Sequence, residues 1–498
     1  MGYFLLTGAT GLLGRYLLRD LTLAELPLAV VVRSGRFESA AQRIETAMAR
    51  WEDQLGRPLL RPVVLEGDIA EANLGLTPRD CEWAAGNCHT MIHSAASLSF
   101  QADEATGEPW RSNVEGTRNV IELCAGSGIR QLHHVSTAYV CGLRRGRIVE
   151  TELNVGQEPG NAYEESKLAA ETEVLKSSAF DQITVYRPAI IVGDSQTGFT
   201  TSYHGFYTPL RLVYSLLQSV PWDTILHRDW LGKLDLSGDE RKNLVSVDWV
   251  SAAMTHLISH PECHGQTYHL TNPTPATTRS MLEAMTQVLS ELASGQQLPR
   301  TAMSDDSLAS FCEQMGIYRS YWSDDPDFDS TNTQTRIPHL PCPEVDHNVM
   351  GRLVRFAINS NFGWPREAPV VPAYSVGEQL MPWLERSSRM SGESDVSSRV
   401  DLCVTGPGGG QWHLNIEQGK VIEAGLGLQG RGATAWYLTS STFADLARGH
   451  LAVEDAVNTG RLVVAGNSPH PYELARLFGD LASRDQNNLE SLQKVMIG

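Results

Sequence analysis

Three glycines near the start of the chain, in TGATGLLG at residues 7–14, constrain the fold more than any other feature. They follow the apolar run YFLLT (3–7) and precede RYLLRDLTLAEL, a run of helix formers. A short buried strand therefore turns sharply into a helix. Missing side chains at Gly8, Gly11 and Gly14 let the turn close and let a ligand approach the backbone. The first N–H groups of the helix then face that ligand without an internal partner. Strand, glycine turn and helix in this order predict a dinucleotide site, with Gly8, Thr10, Gly11, Leu12 and Gly14 as its contacts. The alternative is a tight packing turn.

The pattern continues beyond the turn. LAVVVRS (28–34), RPVVLEGDI (61–69), HTMIHSAA (89–96), QLHHVSTAYV (131–140) and ITVYRPAIIVG (183–193) are apolar runs of strand length. Helical patterns separate them, among them ESAAQRIETAMARWEDQL and NVEGTRNVIELCAGSG. Strands without a polar face, alternating with helices, predict an α/β fold: a Rossmann-type doubly wound parallel sheet covered on both sides. We read residues 1–270 as this dinucleotide-binding domain, with substrate elements from about 194 onward. Residues 271–385 form a less regular substrate-binding extension, and the serine- and charge-rich 386–399 a linker. From 400 to 485 the style changes to alternating strands broken at glycine and then amphipathic helices, which predicts a separate small α+β domain.

Composition limits the function. The chain has 498 residues and a net charge of −18. Such a charge opposes binding to nucleic acid or to an anionic membrane surface. No stretch reaches the ~18 apolar residues of a membrane helix, and the N-terminus lacks the basic flank of a signal peptide. The eight cysteines are scattered without a CxxC pair. Cys81, Cys88 and His89 come nearest to a ligand cluster but lack a second half, so no metal site is expected. These features predict a soluble, cytoplasmic protein with reduced thiols.

The second strand bears on cofactor choice. A site for NAD places an acid at its end, on the ribose hydroxyls. Here the strand ends in VVVRS, with Arg33 at that point and Arg43 further on. A guanidinium forks onto a phosphate, so NADPH is expected, held at its 2′-phosphate chiefly by Arg33. Asp68 and Ile69, ending the third strand, should flank the adenine. Ser94 and Ala95 should run beneath the cofactor, and Pro188 and Ile190 complete the candidate contacts.

NAYEESKLAAE (161–171) then places Tyr163 and Lys167 four residues apart, on one face of a helix. With the strand end VSTAYVCG before it, this arrangement resembles the extended branch of the short-chain dehydrogenase/reductases. The resemblance implies that the Tyr163 hydroxyl gives a proton to a substrate oxygen. Lys167 lowers the tyrosine pKa and bonds the nicotinamide ribose. Thr137, with Ser136 as runner-up, holds the same oxygen. Asn113 sits where the family has a structural or relay asparagine, or else caps a helix. Tyr139 shares the strand with Thr137 but lacks a lysine at helical spacing.

GDIAEANLGL, IHSAASLSF, NVEGTRNVIELC, HHVSTAYVCG and NLVSVDWVSAAM together resemble the thioester reductase and fatty acyl-CoA reductase group. The resemblance covers about the first 270 residues well and 275–385 weakly. It implies NADPH-dependent reduction of a long-chain acyl thioester, carried on CoA or an acyl carrier protein, to an aldehyde or onward to the alcohol. GGGQWHLNIEQGKV, STFADLARG and AVNTGRLVVAGN resemble the sterol-carrier-protein-2 lipid-binding domain. That implies a bound lipid lined by Trp412, Phe443, Leu446, Leu474, Leu477 and Phe478, unless these are plain core. Two other readings stand beside the reductase: an extended dehydrogenase acting on a sterol or other hydroxyl or ketone, and a non-enzymatic lipid carrier that binds NADPH.

Overall fold

Strand runs such as LAVVV have no polar face to offer water, and each is covered on both sides. The computed structural model describes residues 2–217, 230–233, 236–293, 322–366, 368–380, 397–418, 420–430 and 432–466. Seven strands form its main sheet: β1 (Tyr3–Thr7), β2 (Leu28–Val32), β3 (Val63–Glu66), β4 (Cys88–His93), β5 (Gln131–Val135), β6 (Gln182–Pro188) and β7 (Thr267–Leu270). Their order is β7-β6-β5-β4-β1-β2-β3 and every pairing is parallel. The chain runs outward from β1 to β3, then restarts at β4 on the other side. The crevice at the carboxyl ends of β1 and β4 is thus the switch point where ligands bind in such sheets.

Helices α1 (Leu12–Leu23) and α2 (Ala40–Leu55) cover one face. The other carries α3 (Pro78–Asn87), α4 (Gly116–Ser127) and α5 (Ala162–Lys176). Two buried clusters, one around Leu17, Met48 and Val250 and one around Leu65, Val120 and Val174, fill the two sides. β7, which TYHL does not announce, pairs with the edge of β6 and stacks Tyr268 on Tyr186.

The extension has a core of its own. α6 (Tyr207–Leu217) lies before α7 (Val247–Ser259), which packs beside α1. α8 (Thr278–Ala293) and α9 (His347–Asn359) pack on each other through Met281, Val288, Leu353 and Val354. Two-residue pairings pin this extension to the sheet: Asp327–Phe328 runs parallel to Arg147–Ile148, and Ala276–Thr277 antiparallel to Arg241–Lys242.

The C-terminal unit is a five-stranded sheet: β8 (Ser398–Thr405), β9 (Gly410–Glu417), β10 (Lys420–Leu426), β11 (Thr434–Thr439) and β12 (Leu462–Ala465). Its order is β10-β9-β8-β11-β12, with β8 and β11 parallel and the other pairs antiparallel. β8 begins inside the expected linker, because the alternation of RVDLCV starts before residue 400. Residues 386–396 of that linker, and Leu474, Leu477 and Phe478, lie outside the described residues. α10 (Ser440–Ala447) and α11 (Val453–Asn458) cover one face, where Phe443 and Leu446 are fully buried among Val400, Trp436 and Val376.

The unit does not hang on a tether. The Tyr3 hydroxyl donates to Gln411 Oε1 at 2.6 Å and accepts the Leu428 N–H at 2.8 Å. Gln411 Nε2 donates to Arg61 O at 2.8 Å, and Trp83 Nε1 to Leu426 O at 2.7 Å. Leu60 and Thr405 form an antiparallel bridge. Arg61 itself is buried, its guanidinium 2.9 Å from Glu45 and 2.5 Å from Glu52, and Glu45 also accepts the Gly408 N–H. Tyr3 begins β1 and Arg61 precedes β3, so the unit docks at the amino ends of the strands, opposite the crevice.

Candidate active site

One large cleft follows the carboxyl ends of the strands. It encloses about 2530 Å³, beyond the roughly 300–1,000 Å³ of a single small-ligand pocket. That is room for a dinucleotide and a second ligand together.

The glycine turn forms its floor. Gly8 has φ +80°, and a side chain there would meet Ala95 N at 2.6 Å. A Cβ on Gly14 would lie 1.9 Å from Gly8 O. Both positions require glycine, and the cradle they make fits a pyrophosphate. Gly8, Thr10, Gly11, Leu12 and Gly14 all line the cleft, as do Ser94, Pro188 and Ile190.

At the far end Arg43 donates to Arg33 O at 2.6 Å and to Thr10 Oγ1 at 2.9 Å. Burial and the charge of Arg33 both push the Arg43 pKa down. The Arg33 side chain is 69 % exposed, its guanidinium 3.8 Å from Asp68. The Arg33 charge is felt at Arg43, and a phosphate bound between the two would relieve it. Arg15 and Arg36, which no sequence motif singles out, line the cleft with them.

Two expected contacts lie elsewhere. Ile69 packs under α4, close against Gly116, and its carbonyl accepts from Asn119 Nδ2 at 2.8 Å. The cause is the turn after β3, which Asp68 closes by accepting the Ala70 N–H, so the next side chain points into the core. Ala95 is used through its backbone, donating to Thr7 Oγ1 at 3.3 Å, while its neighbours Ser94 and Ala96 line the cleft.

Thr137, Tyr163 and Lys167 converge on one wall. β5 ends at Val135, so Thr137 lies just past the strand and caps the turn Ala138–Cys141 through its hydroxyl. Ser136 is tied by its N–H to Tyr186 O at 2.7 Å. Asn161 caps α5, and one turn of helix then presents Tyr163 and Lys167 together. Lys167 is buried and donates to Val135 O at 2.7 Å. Burial holds its pKa down at about 8, with Glu171 opposing.

Tyr163 departs from the expected lysine effect. Burial pushes the phenol up to about 12, the hydrogen-bonded Thr137 hydroxyl offsets part of this, and Glu164 adds to it. Lys167 directs its proton to the strand end, so desolvation prevails. The phenol is therefore a protonated donor at neutral pH.

Asn113 neither caps a helix nor touches the pair. It lies within the wide turn Arg111–Glu115, accepts the Ser97 N–H at 2.8 Å, and donates to Ser97 O and to Ser166 Oγ at 2.9 Å. It ties the loop after β4 to α5, one residue from Lys167.

Beside this wall lies a buried cluster. Tyr139 Oη donates to Asp325 Oδ2 at 2.7 Å, and Lys242 Nζ lies 2.5 Å from Asp325 Oδ1. Tyr139, Glu164, Lys242 and Asp325 all line the cleft. The last two come from segments far apart in sequence, joined by the Asp325 N–H to Arg241 O at 2.9 Å and by the Arg241–Asp324 ion pair at 2.9 Å, which no local pattern announces.

These features match a known family. Residues 6–254 match the family described as Male sterility protein. The chain belongs to that family. It is 26 % identical over 400 residues to aldehyde reductase lnaA of Aspergillus flavus, covering 71 % of this chain and 36 % of that protein. It is 29 % identical over 282 residues to a linear gramicidin synthase of Brevibacillus parabrevis, covering 54 % of this chain and 5 % of that one. The chain thus spans about a third or less of these two relatives. Among solved structures it resembles the terminal R domain of the myxalamid PKS-NRPS pathway, with 27 % identity and a TM-score of 0.56 over 74 % of this chain and 93 % of that one. The sterol-carrier resemblance of the C-terminal unit finds no support in these comparisons. Among the described residues of this male sterility family member, no helix is long and apolar enough to cross a membrane.

Proposed function

We propose that the protein reduces acyl thioesters with NADPH, releasing an aldehyde. The observation that carries this reading is the convergence of Thr137, Tyr163 and Lys167 on one wall of the cleft that the glycine turn floors. When bound, NADPH supplies the hydride. The Thr137 and Tyr163 hydroxyls hold the thioester oxygen, where negative charge grows as hydride reaches the carbonyl carbon. Tyr163 gives that oxygen its proton, leaving a hemithioacetal, and Lys167 stabilises the phenolate left behind. The C–S bond then breaks, with release of thiol and aldehyde. A second hydride transfer would carry the aldehyde to the alcohol.

Arg33 and Arg43 support NADPH over NADH. Leu98, Phe100, Leu143 and Phe362, all on the cleft, support a long hydrocarbon tail on the acyl group. The likeness to a gramicidin synthase and to the R domain of a PKS-NRPS pathway supports a carrier-bound thioester, with acyl-CoA as the second form. A lipid-binding role for the C-terminal unit remains part of the proposal. Its position at the amino ends of the strands supports a lipid distinct from the reacting acyl group.

The test is NADPH consumption against acyl-CoAs and acyl-carrier thioesters, with NADH in parallel and Tyr163→Phe as control. Turnover of thioesters lost in the variant is the expected result. Activity on sterols alone would overturn it.

A further inference from the structure

We infer that His93, buried behind the cleft, is a positioning residue for hydride transfer: it ties the floor under the cofactor to the backbone of Tyr163. The inference rests on the thioester reductase reading and adds the part that sets hydride donor against proton donor.

His93 ends β4 beside Thr7, its register partner at the end of β1. A chain of hydrogen bonds continues from there. Thr7 Oγ1 lies 2.8 Å from His93 Nδ1, and His93 Nε2 lies 3.1 Å from Thr117 Oγ1 on α4. The Thr117 hydroxyl donates to Asn113 O at 2.6 Å. Asn113 Nδ2 donates to Ser166 Oγ at 2.9 Å, and the Ser166 hydroxyl donates to Tyr163 O at 2.8 Å. Thr7, His93, Asn113, Thr117 and Ser166 are all buried, so each of these bonds is costly to leave unmade.

One carbonyl sets the direction of the bonds around the ring. Asn113 O can only accept, so Thr117 gives it its single proton and must accept from His93. Nε2 therefore carries the imidazole proton, and Nδ1 keeps a lone pair to which Thr7 donates. Burial and the nearby charge of Lys167 hold the His93 pKa down at about 3, so the neutral tautomer persists at every working pH.

The network holds the loop after β4 at two points. The Ala95 N–H donates to Thr7 Oγ1 at 3.3 Å, and the Ser97 N–H to Asn113 Oδ1 at 2.8 Å. Ser94 and Ala96 of this loop line the cleft, and Gly8 lies so close that a side chain there would strike Ala95 N. Glycine turn and loop thus form one floor. His93 joins its two anchors, Thr7 on the side of the glycine turn and Thr117 on the side of Tyr163. A misplacement of about 1 Å between reacting groups can cost roughly 10²-fold in rate, so a fixed link between floor and wall bears on the chemical step.

The experiment uses the full chain, NADPH and decanoyl-pantetheine. His93→Leu should lower kcat by about tenfold or more, while NADPH affinity by fluorescence titration changes less than about threefold. His93→Gln, whose amide N–H stands near the place of the Nε2–H, should recover part of the lost rate. Packing alone would make Leu as good as Gln, with any loss following the folded fraction read by near-UV circular dichroism. Thr117→Val, which removes one hydroxyl, should show the same split if His93→Leu does not fold. Nitrogen-15 spectra of histidine-labelled wild type should show His93 as the neutral Nε2–H form from about pH 5 to pH 9. An Nδ1–H form, a titrating His93, or an unchanged kcat in the folded variant overturns the inference. The expected tautomer without any wild-type turnover would instead overturn the reaction reading and leave the network standing.

Discussion

Lys167 offers the most direct check on how the wall works. Burial holds its ammonium at about 8, against 10.5 for the free side chain. The folded value is the lower one, so the ammonium is present below pH 8 and lost as pH rises through it. About nine-tenths of the protein carries the charge at pH 7 and about one-tenth at pH 9. Tyr163, at about 12, keeps its proton throughout this window. If the charge is what holds the cofactor ribose and stabilises the phenolate, kcat/KM for NADPH should fall about tenfold between pH 7 and pH 9, since that ratio reports the free enzyme. Lys167→Arg keeps its charge far above this range, so whatever its absolute rate, its profile should lose the break. Stability carries a linked signature. Between pH 8 and 10.5 the unfolded chain binds the extra proton, so the wild type should gain stability with rising pH, by at most about 3 kcal/mol, and Lys167→Met should not. A wild-type rate profile flat to pH 10, or a break that survives in Lys167→Arg, would refute the reasoning.

Two further expectations concern the frame. Arg61→Met strands Glu45 and Glu52 as buried carboxylates and should cost about 3–5 kcal/mol, seen as a lower denaturation midpoint; adding Glu45→Gln and Glu52→Gln should recover a substantial part. Gly14→Ala drives a Cβ to 1.9 Å from Gly8 O, so NADPH affinity by fluorescence titration should drop more than tenfold. Gly126→Ala, in α4 with nothing within 4 Å of the new atom, should leave that affinity unchanged and add up to about 1 kcal/mol of helix stability.

The sheet was legible because its strands are covered on both faces and read as unbroken apolar runs. β7 was not, since four residues containing Thr and His carry no period, and only the edge of β6 makes them a strand. The glycine turn and the Tyr163–Lys167 spacing are local, so sequence alone could join them. Where the Ile69 side chain packs is not legible in the sequence, because side-chain direction changes at every residue of a turn, and here Asp68 sets it by accepting the Ala70 N–H. The apolar run of the fifth strand reads on to Val140, but the strand stops at Val135, and the cap that places the Thr137 hydroxyl is a backbone event. Tyr139 has no lysine at helical spacing, and the contact of its hydroxyl with Asp325 and through it with Lys242 joins positions that no local spacing relates.

The same distinction decides what the C-terminal unit can do. Its alternation and glycine turns predicted a sheet, but nothing local predicted where that sheet would dock. Tyr3 in β1, Arg61 in the loop before β3 and Trp83 in α3 are far apart in sequence and meet at the amino edge of the folded sheet. Tyr163 lies beyond the opposite edge. A strand of five residues, such as β1, spans about 16 Å, and this is the least distance between the docking surface and the reacting carbonyl. A chain shorter than that span therefore cannot sit inside the C-terminal core and at the same time present its thioester to Tyr163. The path that does join the two regions runs along the backbone: Trp364 and Pro369 line the cleft, Val370 N bonds Thr46 Oγ1 at 3.0 Å, and Val376 and Leu380 enter the C-terminal core.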